Sequence, residues 1–254
     1  MTRKKPSSNP ELFPATVEST TNWKLVERVL DSPNVRTIYL YGPPGVGKTY
    51  CAYHYGRVGA GVYAITMTED TPAAELRGHY MPVKGELVWH DGPFTEAMRK
   101  GARLVINEVS HGAPEALSFL YPVLESFATA RITLPTNETV RPAPGFHVVC
   151  TDNAPPEALP PALQDRFDCT LQIQDPHPQA IEELTEPFKS AALHTFGLEE
   201  DRRISLRSWF IMQTLAQEMG LESACMAVFG SERGARILDG LVLLDGRKGK
   251  RGKK

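Results

Sequence analysis

The chain has 254 residues, of which 41% are hydrophobic and 23% charged, and its net charge at pH 7 is −2. Composition of this kind supports a globular core. It excludes a membrane-spanning apolar run, a disulfide scaffold and a general affinity for nucleic acid.

In chain order, residues 1–14 carry Pro, Ser, Asn and Lys without periodicity and are expected to form a loose arm. Thr20 to Leu30, with Trp23, Val26, Val29 and Leu30 spaced for one face, predicts an amphipathic helix. The apolar run Thr37 to Tyr41 predicts a strand. It leads directly into Gly42-Pro43-Pro44-Gly45-Val46-Gly47-Lys48-Thr49, a GxxxxGK[ST] phosphate-binding loop with a helix predicted behind it from Lys48 to Tyr55. Glycines 42, 45 and 47 permit the positive φ and close backbone approach by which successive N–H groups ring a phosphate. Lys48 is placed to reach the β- and γ-phosphates, and the Thr49 hydroxyl to ligate Mg²⁺. The nucleotide-binding stretch is read as Gly42, Pro43, Pro44, Gly45, Val46, Gly47, Lys48, Thr49 and Tyr50, and ATP and Mg²⁺ are the expected cofactors.

A second strand follows at 61–66. Residues 76–89 predict a small hairpin turning at Gly85, and Asp91-Gly92-Pro93-Phe94 opens a helix. Arg103 to Asn107 is a near-continuous apolar strand, as expected of one buried on both faces of a parallel sheet. Pro114 to Phe127 predicts one helix with Leu117, Leu120, Leu124 and Phe127 on a single stripe. Arg131 to Val140 alternates around Pro135-Thr136-Asn137 and predicts a second hairpin. Phe146 to Thr151 is a fourth strand ending at Asp152-Asn153. A short helix over Ala162 to Phe167 precedes a fifth strand at Cys169 to Ile173.

Strands and helices alternate, so the fold class is α/β: a five-stranded parallel sheet flanked by helices over 15–176. Beyond a boundary near 176 the pattern is helical, with segments at 178–196 restarting at Pro187, at 205–219 and at 231–244. This predicts a small α-helical lid over 177–244. A basic tail occupies 245–254. Four cysteines, Cys51, Cys150, Cys169 and Cys225, form no CxxC pair, and none of the seven histidines forms HExxH. Buried thiols are expected rather than zinc ligands or disulfides. With no apolar segment behind the charged N-terminus, the expected location is the cytoplasm, with no membrane partner.

Hydrolysis of a γ-phosphate needs a metal held at a strand end, a positioner for water, a sensor for the phosphate and added positive charge. Glu108, after the buried strand, is placed to orient water. Asn107 stands where an Asp normally supports Mg²⁺ through its water shell; an amide oxygen accepts a hydrogen bond there without negative charge, so slow hydrolysis is expected. Asn153 is the candidate sensor. Arg166 is positioned for insertion into a neighbouring subunit, and Arg207 is placed to report nucleotide state to the lid. Lys48, Glu108, Asn153 and Arg166 form the candidate catalytic set.

With these residues in hand, the sequence resembles the AAA+ ATPases, in the MoxR-like and dynein-related group. The resemblance is carried by Gly42 to Thr49, Glu75-Leu76-Arg77-Gly78 with Asp91 to Phe94, Leu104 to Glu108, Phe146 to Asn153 and Ala162 to Phe167. It implies that these are Walker A, the helix-2 insert, Walker B, sensor 1 and the arginine-finger segment, with Arg207 as sensor 2. It also implies a ring, usually of six subunits, with ATP between neighbours and the hairpins facing a client. Such proteins remodel a client protein, often with a partner bearing a von Willebrand A domain. Tyr80, Trp89 and the 131–140 hairpin are candidate client contacts. Two other readings stay open: a nucleic-acid motor using the basic tail, and a weakly hydrolysing ATP-switched scaffold suggested by Asn107.

Overall fold

The computed structural model describes residues 21–196, 198 and 203–251, with side chains described up to 244. The arm expected over 1–14 lies outside them, as do the basic side chains of the tail. The chain divides into two compact units, Thr21–Gln174 and a second beginning at Asp175.

The first unit opens with α1 (Trp23–Asp31), capped by the Asn22 side chain accepting from Leu25 N at 3.2 Å. Trp23, Val26 and Leu30 are buried, the one-faced pattern the sequence predicts. β1 (Thr37–Tyr41), α2 (Lys48–His54) and β2 (Val62–Thr66) follow. A short helix that was not expected, α3 (Ala73–Arg77), takes in the first residues of the expected hairpin and delivers the chain into β3 (Gly78–Val83) and β4 (Glu86–Asp91). Next come α4 (Pro93–Lys100), β5 (Arg103–Asn107), α5 (Pro114–Ser118), α6 (Leu120–Leu124), the hairpin β6 (Ile132–Thr133) and β7 (Thr139–Val140), β8 (His147–Asp152), α7 (Pro161–Gln164) and β9 (Cys169–Gln172).

The sheet order is β2-β5-β8-β1-β9 and every pairing is parallel. Five parallel strands between helices are the predicted architecture. The order has one consequence for the site: β8 lies between β1 and β5, so Asp152 of β8 pairs with Tyr41 of β1, and Thr151 with Asn107 of β5. The phosphate loop, the Glu108 loop and the Asn153 loop therefore leave three adjacent strands at the same edge.

The single helix expected over 114–127 is instead two short ones, and its last predicted core residue, Phe127, is exposed. Pro122 lacks the N–H that a continuous helix would give to Ser118, and it is accommodated in the first turn of a new helix. The two hairpins are tied by Arg99 of α4. Its guanidinium donates to both carboxylate oxygens of Glu138 at 2.5 and 2.7 Å and to Asp91 Oδ2 at 2.6 Å.

The strand reading missed a buried cation. Arg103 is fully buried at the start of β5, where it donates to the carbonyls of Ala52 and Tyr55 at the end of α2 and to His147 Nε2 at 2.8 Å. The carbonyl end of a helix is a favourable place for a cation. Burial lowers the Arg103 pKa to about 10, so it stays charged near neutrality while fastening α2 to the sheet.

Among the described residues of the second unit every regular element is a helix: α8 (Pro178–Glu182), α9 (Phe188–Phe196), α10 (Leu206–Met219), α11 (Leu221–Phe229) and α12 (Ser231–Arg251). The restart near Pro187 matches expectation. Two features do not: α11 occupies a stretch assigned no element, and α12 continues past the expected end at Leu244. Trp209 anchors this unit, buried edge-on against Phe229 at 6.0 Å. At Gly234 a Cβ would lie 2.6 Å from the Cys225 carbonyl, so α11 and α12 meet at backbone distance there.

Candidate functional site

The phosphate loop has the backbone its glycines permit. Gly42, Gly45 and Gly47 hold φ of 144°, 80° and 99°. At Gly42 a Cβ would stand 1.9 Å from the Ile173 carbonyl oxygen, which ties the loop's first residue to the end of β9. At Gly47 no atom lies within 4 Å of an added Cβ. The loop thus combines a fixed base with open space at its turn into α2, and its three left-handed glycines are the backbone that a phosphate-cradling loop requires. Val46 is buried, Thr49 is exposed at the start of α2, and Tyr50 is exposed with its ring 4.4 Å from that of His54.

Lys48 is buried and reaches inward. Its Nζ donates to Gly42 O at 2.7 Å, Pro43 O at 2.8 Å and Asn153 Oδ1 at 2.9 Å. Asn153 in turn donates from Nδ2 to Glu108 Oε1 and Oε2 at 3.3 and 3.2 Å. The Lys48 ammonium, the Asn153 amide and the Glu108 carboxylate, three residues far apart in sequence, form one hydrogen-bonded line across the ends of β1, β8 and β5.

Both loops that carry this line are held from below. Glu108 has φ 52° and ψ 46°, the left-handed region, which costs a non-glycine residue about 1 kcal/mol or more. Buried Asp152 secures the turn by accepting from Ser110 N at 2.6 Å and Ser110 Oγ at 3.0 Å. Its Oδ1 also accepts from Ala154 N at 2.9 Å, and the Ala154 carbonyl accepts from Tyr39 Oη at 2.8 Å. Sequence reasoning marked Asp152 only as a strand end. The usable signal was a carboxylate closing an otherwise apolar strand beside a candidate sensor.

Asn107 serves the sheet first. Its Oδ1 accepts from Thr151 Oγ1 at 2.9 Å, and its Nδ2 points at Ile65 O, 3.5 Å away. Only the second lone pair of Oδ1 remains for a metal-bound water. Thr49 offers an exposed hydroxyl, so the residues present fit Mg²⁺ brought in by nucleotide rather than a metal held by the protein. Among the described residues no cluster of three or more His, Cys, Asp or Glu could hold one by itself.

Arg166 follows α7 as predicted, but within this chain it is engaged. It donates from Nη2 and Nε to Glu125 Oε1 at 2.6 and 3.1 Å and from Nη1 to Ala162 O, and it lies 5.0 Å from the Tyr121 ring centroid. Its side chain keeps 28% of its surface exposed. Its backbone is anchored to β1: Thr37 Oγ1 donates to Arg166 O, and Asp168 accepts from the amides of Arg36 and Thr37. Arg207 belongs to the second unit, where it is exposed in the first turn of α10.

Residues 37–167 match the family model described as AAA domain (dynein-related subfamily). The chain belongs to this AAA family. Protein NorQ of Paracoccus denitrificans is 32% identical over 177 residues, 66% of this chain and 61% of that protein. The denitrification regulatory protein NirQ of Stutzerimonas stutzeri is 29% identical over 46% of this chain and 42% of that protein. These relatives fall in the MoxR-like group. The AAA fold also appears in the crystal structure of NtrX from Brucella abortus in complex with ADP, with a TM-score of 0.53 at 17% identity, covering 76% of this chain and 48% of that one. The chain thus spans 61% of NorQ and 42% of NirQ, less than two thirds of the length of either relative. Among its described residues no helix is long and apolar enough to cross a membrane.

Proposed function

We propose that this MoxR-like AAA protein binds ATP with Mg²⁺ at the Gly42–Thr49 loop, hydrolyses it, and uses the energy to remodel a protein partner. The observation that carries the reading is the Lys48–Asn153–Glu108 line. In it the group suited to phosphate oxygens and the group suited to water are joined by the amide between them. Mg²⁺, when bound with the nucleotide, offsets charge on the phosphate oxygens. Lys48 leaves the carbonyls of Gly42 and Pro43 for those oxygens, Asn153 contacts both phosphate and water, and Glu108 accepts the hydrogen bond that orients the water. Asn107 gives the metal shell no negative charge, which suits slow turnover.

Arg166 supplies the transition-state cation to a neighbouring copy and must release Glu125 to do so. The working form is a cytoplasmic ring, six subunits being the family's usual number, with Arg207 reporting nucleotide state. The Tyr80 and Trp89 hairpin, joined through Arg99 to the 131–140 hairpin, contacts the client; Tyr80 and Leu87 are among its exposed apolar side chains. Client capture tests this. Full-length Glu108→Gln protein, loaded with ATP and sized by light scattering, assembles into rings and retains a specific protein when passed through lysate. Assembly that ignores nucleotide, or turnover stimulated by DNA and by no retained protein, overturns the reading.

A further inference from the structure

We propose that Asp152 is a positioning residue that sets the distance between Glu108 and Asn153 and thereby governs the hydrolytic step, a role that rests on the ATPase reading above. Asp152 closes β8, the strand between those carrying the phosphate loop and Glu108, and it is buried. Its carboxylate reaches in two directions. Toward β5 it accepts from both the amide and the hydroxyl of Ser110, two residues past Glu108. Along its own chain it accepts from the amide of Ala154, one residue past Asn153.

One rigid side chain therefore ties the loop of the water-positioning carboxylate to the loop of the sensor. Each contact it makes is backed by another constraint. The Glu108 turn lies in the left-handed region and needs the Ser110 bonds to hold it, and Ala154 is fixed on its other side by Tyr39 Oη. The contacts between Asn153 Nδ2 and Glu108, 3.2 and 3.3 Å, are the longest in the line. They are the ones that a small movement of either loop would break. Asp152 bonds neither Lys48 nor the phosphate loop itself, and the Lys48–Asn153 contact at 2.9 Å is tighter than the Asn153–Glu108 contacts, so its effect falls on turnover far more than on nucleotide binding.

The test compares full-length wild type with Asp152→Asn, which preserves shape but turns one acceptor into a donor facing N–H groups, and with Ser110→Ala, which removes one hydroxyl and leaves the carboxylate buried. A fluorescent ATP analogue measures affinity, and phosphate release at saturating ATP measures turnover per bound nucleotide. Asp152→Asn is expected to keep its affinity for the analogue and its KM while kcat falls roughly 10- to 100-fold, the cost of displacing a reacting group by an ångström or less. Ser110→Ala is expected to show a smaller fall with the same unchanged KM, and it decides the matter if Asp152→Asn does not fold. Equal kcat in wild type and a folded variant overturns the inference while leaving the ATPase reading intact. Parallel loss of affinity and kcat overturns it in favour of a purely structural role. A wild type that binds ATP and releases no phosphate overturns the ATPase reading and this inference with it.

Discussion

Replacing His147 by Gln is expected to flatten the loss of stability on acidification. His147 is buried on β8, its Nε2 accepts from Arg103 Nε, and Nδ1 lies 2.8 Å from Gly145 O, which fixes the neutral tautomer with the proton on Nδ1. Burial first, and then the neighbouring Arg103 and Arg57, push its pKa down from 6.5 to about 4. A group with a depressed folded-state pKa keeps its full contribution above pH 6.5. As pH falls below that value the unfolded chain takes up a proton that the native protein refuses, and stability drains away until about pH 4. The whole displacement is worth about 3 kcal/mol, of which about 2 kcal/mol is lost by pH 5. A Gln amide can accept from Arg103 and does not titrate. Urea unfolding of wild type and His147→Gln at pH 7.5 and pH 5 reads the difference directly, because carboxylates elsewhere contribute equally to both proteins. The wild type should lose about 2 kcal/mol more than the variant over that interval. Parallel losses would show that the Arg103–His147 contact does not hold the imidazole neutral.

Three other substitutions test the geometry elsewhere in the first unit. Glu125→Gln weakens the hold on Arg166; a half-exposed pair of this kind is worth up to about 1 kcal/mol, so the protein concentration giving half-maximal ATPase should fall about two- to fivefold, whereas a rise would mean that Glu125 presents the guanidinium instead of restraining it. Gly42→Ala and Gly47→Ala should separate in denaturant titrations: the first forces a Cβ against the Ile173 carbonyl and should cost about 3 kcal/mol or more, the second meets only backbone strain of about 1 kcal/mol, and equal costs would contradict the loop geometry.

Much of the site was legible because its signals are local. The phosphate loop declares itself by glycine spacing between a strand and a helix, and Glu108 and Asn153 stand at the ends of apolar runs that can only be buried strands. What the sequence hid is non-local. The Glu125–Arg166 pair joins residues 41 apart, and the ties from Asp152 to Ser110 depend on β8 lying next to β5, which spacing does not reveal. Arg103 was read only as the first residue of a buried strand; the carbonyls at the end of α2 that make burial of its charge tolerable lie about fifty residues earlier in the chain. The single helix over 114–127 failed at Pro122, where stripe periodicity outweighed a missing N–H. The α11 segment, flanked by Gly220 and Gly230, was passed over because its apolar residues make no clean stripe.

Phosphate release by full-length Glu108→Gln compared with wild type, each with ATP binding measured in parallel, is the most direct test of the hydrolytic line. If Lys48, Asn153 and Glu108 act as one hydrolytic line, the variant binds ATP as tightly as wild type and its release falls at least about 100-fold. Release at the wild-type rate from ATP-loaded Glu108→Gln protein would contradict it.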